Sequence, residues 1–190
     1  MKILGISGTI VGAKTSILVN SVIDEIKQAD SNVETSILDL RDYKMEFSDG
    51  RNFDSYNEDT RKIITEIKNA DAYLIGSPVF NGSIPAPLKN AFDLVDPSIF
   101  RHKLMGFVVN GGTYQHYLMI ENQLKPIAGF FRSYVAPNYV YANSDHFDLN
   151  NQIIDEDVLR RIRILAEEMV AFQRVLDAGP LVQYNPQTVR

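Results

Sequence analysis

From Lys2 to Ile6 apolar positions follow one another almost without a break, the pattern of a strand buried on both faces rather than one. The run stops at Ser7-Gly8-Thr9, a second glycine follows at Gly12, and after Lys14-Thr15-Ser16 the period changes. Leu18, Val22 and Ile26, backed by Val19 and Ile23, recur at helical spacing. The alternation then repeats. Asn32 to Leu40 alternates loosely through Val33, Ile37, Leu38 and Leu40 and predicts a second strand. Asn57 to Ala70 predicts an amphipathic helix with Ile63, Ile67 and Ala70 inward, and with Glu58 and Asp59 early, where the helix dipole favours them. Ala72 to Gly76 reads as a third buried strand ended by Pro78. Asn81-Gly82 signals a turn, and Pro85 or Pro87 suits the first turn of a helix whose buried stripe is Leu88, Ala91, Phe92 and Val95. Asp96-Pro97 stops that helix.

Leu104 to Asn110 is a fourth buried strand, ended by Gly111-Gly112-Thr113. A helix from about Tyr114 to Phe131 follows, with a kink expected at Pro126. Tyr134 to Tyr141 predicts a fifth strand, placed at an edge because it contains Pro137. The last helix has the clearest period, Val158, Ile162, Leu165, Met169, Phe172 and Leu176, with Asp155 as N-cap and Gly179-Pro180 as stop. Strand and helix alternating five times predict an α/β fold, a doubly wound parallel sheet with helices on both faces. The flavodoxin-like strand order 2-1-3-4-5 fits, with its switch point between strands 1 and 3. Residues 1–180 read as a single domain and 181–190 as a polar tail.

Composition narrows the chemistry. The chain has 190 residues, 45% of them hydrophobic, and a net charge of −5. Such a chain can bury a sizeable core, and it lacks the basic face that nucleic-acid binding needs. With no cysteine, there is no disulfide, no thiolate metal site and no thiol nucleophile, which fits a cytoplasmic protein. Met1 to Ser7 is too short an apolar run for a signal peptide, and no stretch approaches the length of a membrane span.

In the expected order strands 1, 3 and 4 are adjacent, so the loops that follow them converge. Residues 7–16 offer Ser7, Thr9, Thr15 and Ser16 as hydroxyl donors and Lys14 as a charge before a helix N-terminus, an arrangement suited to an anion such as phosphate. An ordinary capped turn would use the same residues, and the loop is neither GxGxxG nor GxxxxGK[ST]. The second loop, Pro78-Val79-Phe80-Asn81-Gly82-Ser83, carries a ring and small polar residues suited to the face and edge of an isoalloxazine. In the third, Gly111 and Gly112 let backbone come close to a flat ring. Together the loops suggest a nucleotide-like ligand.

These residues resemble a known family. SGTIVGAKTS after strand 1, GSPVFNGSIPAPLKNAFDLV after strand 3 and NGGTYQHYLMIENQLKPI after strand 4 look like the NAD(P)H-dependent FMN reductases of the flavodoxin-like superfamily, nearest to the branch of alkanesulfonate-linked flavin reductases. The resemblance implies that Ser7, Thr9, Thr15 and Ser16 bind the FMN phosphate. Pro78, Val79, Phe80, Asn81 and Gly82 would hold the isoalloxazine, with Gly111, Gly112 and Thr113 at its other edge. It implies FMN as cofactor and NADPH or NADH as donor, hydride passing to FMN and then to a free flavin, quinone, azo compound or metal complex. It also implies a homodimer or homotetramer. Two departures stand out. Ile10 and Val11 occupy positions where many members carry Arg. Asn122 stands close to where the sulfonate-linked branch has a Tyr, which argues against a monooxygenase partner and for a tightly held FMN.

His116 follows the Gly-Gly turn and is placed to face the flavin or the nicotinamide. His102 and His146 read as surface or loop residues. No nucleophile elbow supports a hydrolase. The aromatic-rich loop 41–56 is expected to fold back onto the domain. An electron carrier without nicotinamide activity is the alternative to a reductase.

Overall fold

The computed structural model describes residues 1–179; the expected stop at Pro180 and the polar tail 181–190 lie outside them. The apolar runs form parallel strands β1 (Lys2–Ser7), β2 (Glu34–Asp39), β3 (Ala72–Pro78) and β4 (Leu104–Asn110), in spatial order β2-β1-β3-β4. The expected fifth strand is split. β5 (Tyr134–Val135) and β6 (Val140–Ala142) each pair with β4. Pro137 cannot donate to a ladder, so the chain leaves the sheet between them and rejoins it two register steps on. The expected order 2-1-3-4-5 is otherwise the observed one.

Helices α1 (Lys14–Ala29), α2 (Glu58–Lys68), α3 (Ala86–Asp93), α4 (Lys125–Phe131) and α5 (Glu156–Asp177) cover the two faces. Because the strand period is two, neighbours on one strand serve different cores. Leu4, Ile6, Tyr73, Ile75, Met105 and Phe107 pack with α2, α3 and α4. Ile3, Ala72, Leu74, Leu104 and Val108 pack with α1 and α5. Both faces being apolar is what made the strands read as continuous hydrophobic runs.

The cap expected at Asp155 is present, and Asn57, not foreseen as one, caps α2. Asn57 accepts the Thr60 N–H ahead of α2, and Asp155 accepts the Val158 N–H ahead of α5. The helix expected from Tyr114 to Phe131 is not continuous. A 3-10 turn (Tyr114–His116) and a π-turn (Ile120–Leu124) precede α4. Pro126 has no N–H to return to the preceding turn and its ring crowds a carbonyl there, so the helix widens instead of merely bending. In the loop before α2, Tyr43 and Met45 pack on the core and Tyr56 is buried, as a folded-back loop requires. Phe47 and Phe53 remain exposed, at 77% and 45%.

Candidate functional site

The carboxyl ends of β1, β3 and β4 are tied side by side. Gly8 N–H donates to the Gly76 carbonyl at 2.8 Å, Val79 N–H to Asn110 O at 2.9 Å, and Gly111 N–H to Ala142 O at 3.0 Å. The Thr15 hydroxyl donates to Asn110 Oδ1 at 2.5 Å, joining the start of α1 to the end of β4. The three loops singled out by sequence therefore do converge on one edge, where ligands bind in open α/β sheets.

The first loop leads into a helix end that the protein itself leaves unserved. Ala13, which cannot cap, precedes α1, and the first turn holds no acidic residue. By contrast α2 and α5 each have a side-chain cap and two acids in the first turn. Ser7 is fully buried, and among the described residues its hydroxyl oxygen has no hydrogen-bond partner. The Thr9 hydroxyl is committed inside the loop. It donates to Val11 O at 2.6 Å and accepts the Val11 N–H at 3.1 Å. Lys14 opens α1 with its ammonium 5.1 Å from the Phe147 ring centre. Ser16 is half-buried in the first turn of α1.

A clamp that the sequence did not announce steadies this loop. Asp39, at the end of β2, accepts Arg41 Nε at 2.9 Å and Nη2 at 2.6 Å, and Arg41 Nη1 donates to Gly12 O at 2.8 Å. Burial alone would raise the Asp39 carboxyl, but the guanidinium and the Arg41 N–H outweigh it and hold the group below its ordinary value.

The second loop is a tight two-residue turn. Phe80 N–H donates to Ser83 O at 2.9 Å and Ser83 N–H to Phe80 O at 3.0 Å. Asn81 and Gly82 both take positive φ, +51° and +78°. That geometry is the type I′ turn for which Asn-Gly is the favoured pair. Pro78 is buried at the end of β3, Val79 is half-buried and Phe80 is 38% exposed. Gln123, from the π-turn, braces the loop. Its Nε2 donates to Gly82 O at 2.9 Å, and its Oε1 accepts Ser83 Oγ at 2.7 Å and Ile84 N–H at 3.3 Å.

The third loop is steadied by Tyr141, whose hydroxyl donates to Thr113 O at 2.5 Å. Its two glycines are not alike. A Cβ on Gly111 would lie 2.2 Å from the Tyr141 hydroxyl, whereas one on Gly112 would meet nothing within 4 Å. Gly111 thus makes room for the protein's own phenol, and Gly112 faces open space. His116 sits half-exposed on the 3-10 turn after Thr113.

His146 departs from its expected place in a solvated loop. It is 5% exposed, its Nδ1 accepts the Asn143 N–H at 3.3 Å, and its Nε2 lies 3.1 Å from the Tyr114 hydroxyl. With Nδ1 accepting, Nε2 carries the proton toward Tyr114. Sequence reasoning also missed Gln123, Tyr141, Asp39 and Arg41. An Asp and an Arg two residues apart at a strand's carboxyl end was the one visible hint among them.

Comparisons with known proteins agree with one another. The family model described as NADPH-dependent FMN reductase matches residues 1–147. An NAD(P)H-dependent FAD/FMN reductase of Geobacillus thermodenitrificans is 56% identical over 179 residues, 94% of this chain and 97% of that protein. An FMN reductase (NADPH) of Pseudomonas aeruginosa is 31% identical over 167 residues, 87% of this chain and 89% of that protein. Among solved structures, an oxidoreductase from Corynebacterium diphtheriae shares the fold, with a TM-score of 0.74 at 18% identity over 90% of this chain and 94% of that one.

Proposed function

The chain belongs to the NADPH-dependent FMN reductase family, and from that premise we propose how its three converging loops serve an NAD(P)H:FMN oxidoreductase. FMN, when bound, supplies the ring that takes hydride from the nicotinamide and passes electrons to a second acceptor. The protein's part is to hold and orient, so no side chain need act as an acid or base. Family membership favours the reductase over the electron-carrier alternative.

The observation that carries the site is the pairing of an uncapped α1 N-terminus with the buried Ser7 hydroxyl, without a partner among the described residues, at the end of the strand that leads into that helix. Free helix N–H groups and a donor without a partner are what a phosphate would satisfy. The residues present therefore fit the group. In this reading the α1 amides, Ser7 and Ser16 hold the phosphate, while Thr15, its hydroxyl proton spent on Asn110, fixes the start of α1. Thr9 shapes the loop, its own hydroxyl being spent on Val11. Lys14 and Arg41 lie nearby as positive charges where Ile10 and Val11 supply none. Pro78 to Ser83 line one side of the isoalloxazine, and Gly112 and Thr113 the other, where a missing Cβ leaves space. His116 borders the nicotinamide side.

The same reading covers a single domain over 1–180, a cytoplasmic location and a homodimer or homotetramer. The cysteine-free sequence supports the location. Exposed apolar side chains, Ile10, Phe47, Phe80 and Leu118 among them, support the assembly. Among the described residues no helix is long and apolar enough to cross a membrane. Asn122 favours retention of FMN over delivery to a monooxygenase. The acceptor is a free flavin, a quinone, an azo compound or a metal complex.

The test is direct. Flavin-stripped protein titrated with FMN and with riboflavin should bind FMN at least about tenfold more tightly, a difference set by the phosphate. Steady-state consumption of NADPH and NADH, with FMN or a quinone as acceptor, then fixes donor and acceptor. Protein that takes up no FMN overturns the assignment of the site.

A further inference from the structure

The amide of Gln123 makes three hydrogen bonds to three consecutive residues of the second loop, across about forty positions of sequence. Its orientation is fixed by partner chemistry, since Gly82 offers a carbonyl and Ile84 an N–H, which suit Nε2 and Oε1 in that order. The turn's own two bonds, between Phe80 and Ser83, close it into a ring but do not anchor its tip. Asn81 and Gly82 sit at that tip, exposed and in the left-handed region. Among the described residues, the side-chain hydrogen bonds to Gly82, Ser83 and Ile84 all run to Gln123.

We propose that Gln123 is a positioning residue for flavin binding, holding the Asn81-Gly82 turn at the height and tilt the isoalloxazine requires. The inference rests on the reading above, in which this turn faces the ring. Gln123 touches no reacting atom. It acts through the backbone it fixes, and the π-turn before Pro126 is what presents it. Such widened turns commonly mark functional positions. Ser83 changes role accordingly, because its hydroxyl points its proton at Gln123 and contributes by locking the turn.

The carboxyl analogue tests this without removing the side chain. In Gln123→Glu the protonated acid can still donate to Gly82 O and accept from Ile84, whereas the ionised form turns an oxygen toward the Gly82 carbonyl. Gln123→Met keeps the length and loses all three bonds. FMN dissociation constants are measured by flavin fluorescence for wild type and both variants from about pH 3.5 to about pH 7, a range that spans the ordinary glutamate value of about 4.3. The glutamate variant should match wild type within about threefold at the acid end and be weaker by about tenfold at the other. The methionine variant should be weaker by about tenfold throughout. Hydrogen exchange on FMN-free protein supplies an independent arm, in which the Ile84 amide should exchange at least about tenfold faster in the methionine variant.

Unchanged FMN binding in both variants overturns the proposal, as does wild-type exchange at Ile84 in the methionine variant. A glutamate variant as weak in acid as in base, with wild type constant, also overturns it, because a merely structural loss would not be rescued by a proton. If wild type itself takes up no FMN, the flavin reading fails, and the role proposed for Gln123 fails with it. The exchange arm then still reports whether this side chain holds the turn.

Discussion

Ser7 shows how a single side chain can be wrong for stability and right for binding. A buried hydroxyl without a partner costs about 1–3 kcal/mol relative to one that is satisfied, and this one lies at the end of β1, the strand that leads into an uncapped helix. Ser7→Ala should therefore raise the melting temperature of flavin-free protein while weakening FMN more than riboflavin. Thermal melts and paired titrations check both halves, and a variant that loses stability and binds FMN as before would contradict the assignment. The adjacent glycines of the third loop make a second contrast. Gly111→Ala drives a Cβ into the Tyr141 hydroxyl, so it should cost about 1–3 kcal/mol as overpacking does. Adding Tyr141→Phe, which removes the obstructing oxygen, should recover part of that. Gly112→Ala meets no atom of the described residues within 4 Å and should leave the melting temperature nearly unchanged while lowering FMN affinity. Denaturation curves of the three variants, with FMN titrations beside them, separate a glycine kept for the protein from one kept for its ligand.

At the scale of elements, the clamp between the end of β2 and the first loop should show in acid. Arg41 holds the Asp39 carboxyl below its ordinary value despite burial. A carboxylate depressed in the folded state stabilises it fully above the unfolded value of about 3.9, and that contribution is lost as pH falls through the lower folded value. Wild-type melting temperature should therefore drop more steeply below about pH 4 than that of Asp39→Asn, which has no proton to take up there. At neutral pH Arg41→Ala should loosen the loop at Gly12 and weaken FMN binding. The contrast between β2 and its clamp also marks what a sequence can disclose. Strands β1, β3 and β4 were legible because both faces are buried, leaving continuous apolar runs. The Asn81-Gly82 turn was legible because few residues tolerate two successive positive φ angles. Asp155 was legible as a cap because few side chains can serve there. By contrast, Arg41 reaching Gly12 across 29 positions leaves no local pattern. Neither does the rotation of Gln123 toward Gly82, which depends on a helix widening before Pro126 rather than bending. The split of the last strand was half legible, since Pro137 announced an edge but not that the chain would leave the ladder and return.

For the whole molecule, the geometry of the cleft is set by how closely α1 lies on the sheet, and that distance is fixed by glycines inside strands. A Cβ on Gly76 would come within 2.3 Å of Val19 Cγ2, and within 3.2 Å of both the Ile6 carbonyl and Thr15 Cγ2. Gly5, on the neighbouring strand, likewise faces Val19, at 2.8 Å. Valine is stiff about χ1 and cannot swing aside as a methionine would, so Gly76→Ala must push α1 outward. The displaced helix is the one whose N-terminus is proposed to hold the phosphate, and Thr15 near that end also bonds Asn110 on β4. Stability and FMN affinity should therefore fall together in Gly76→Ala, by about 1–3 kcal/mol for the overpacking and by about tenfold or more in affinity. Val19→Ala opens a cavity instead and should cost about 1–2 kcal/mol with a smaller effect on FMN. The double variant decides between a shifted helix and a merely weakened fold. If Gly76→Ala acts by displacing α1, adding Val19→Ala must restore FMN affinity, with a favourable coupling of about 1 kcal/mol or more in the stability cycle. Two losses that simply add would mean that the glycines in the sheet do not set the position of the site.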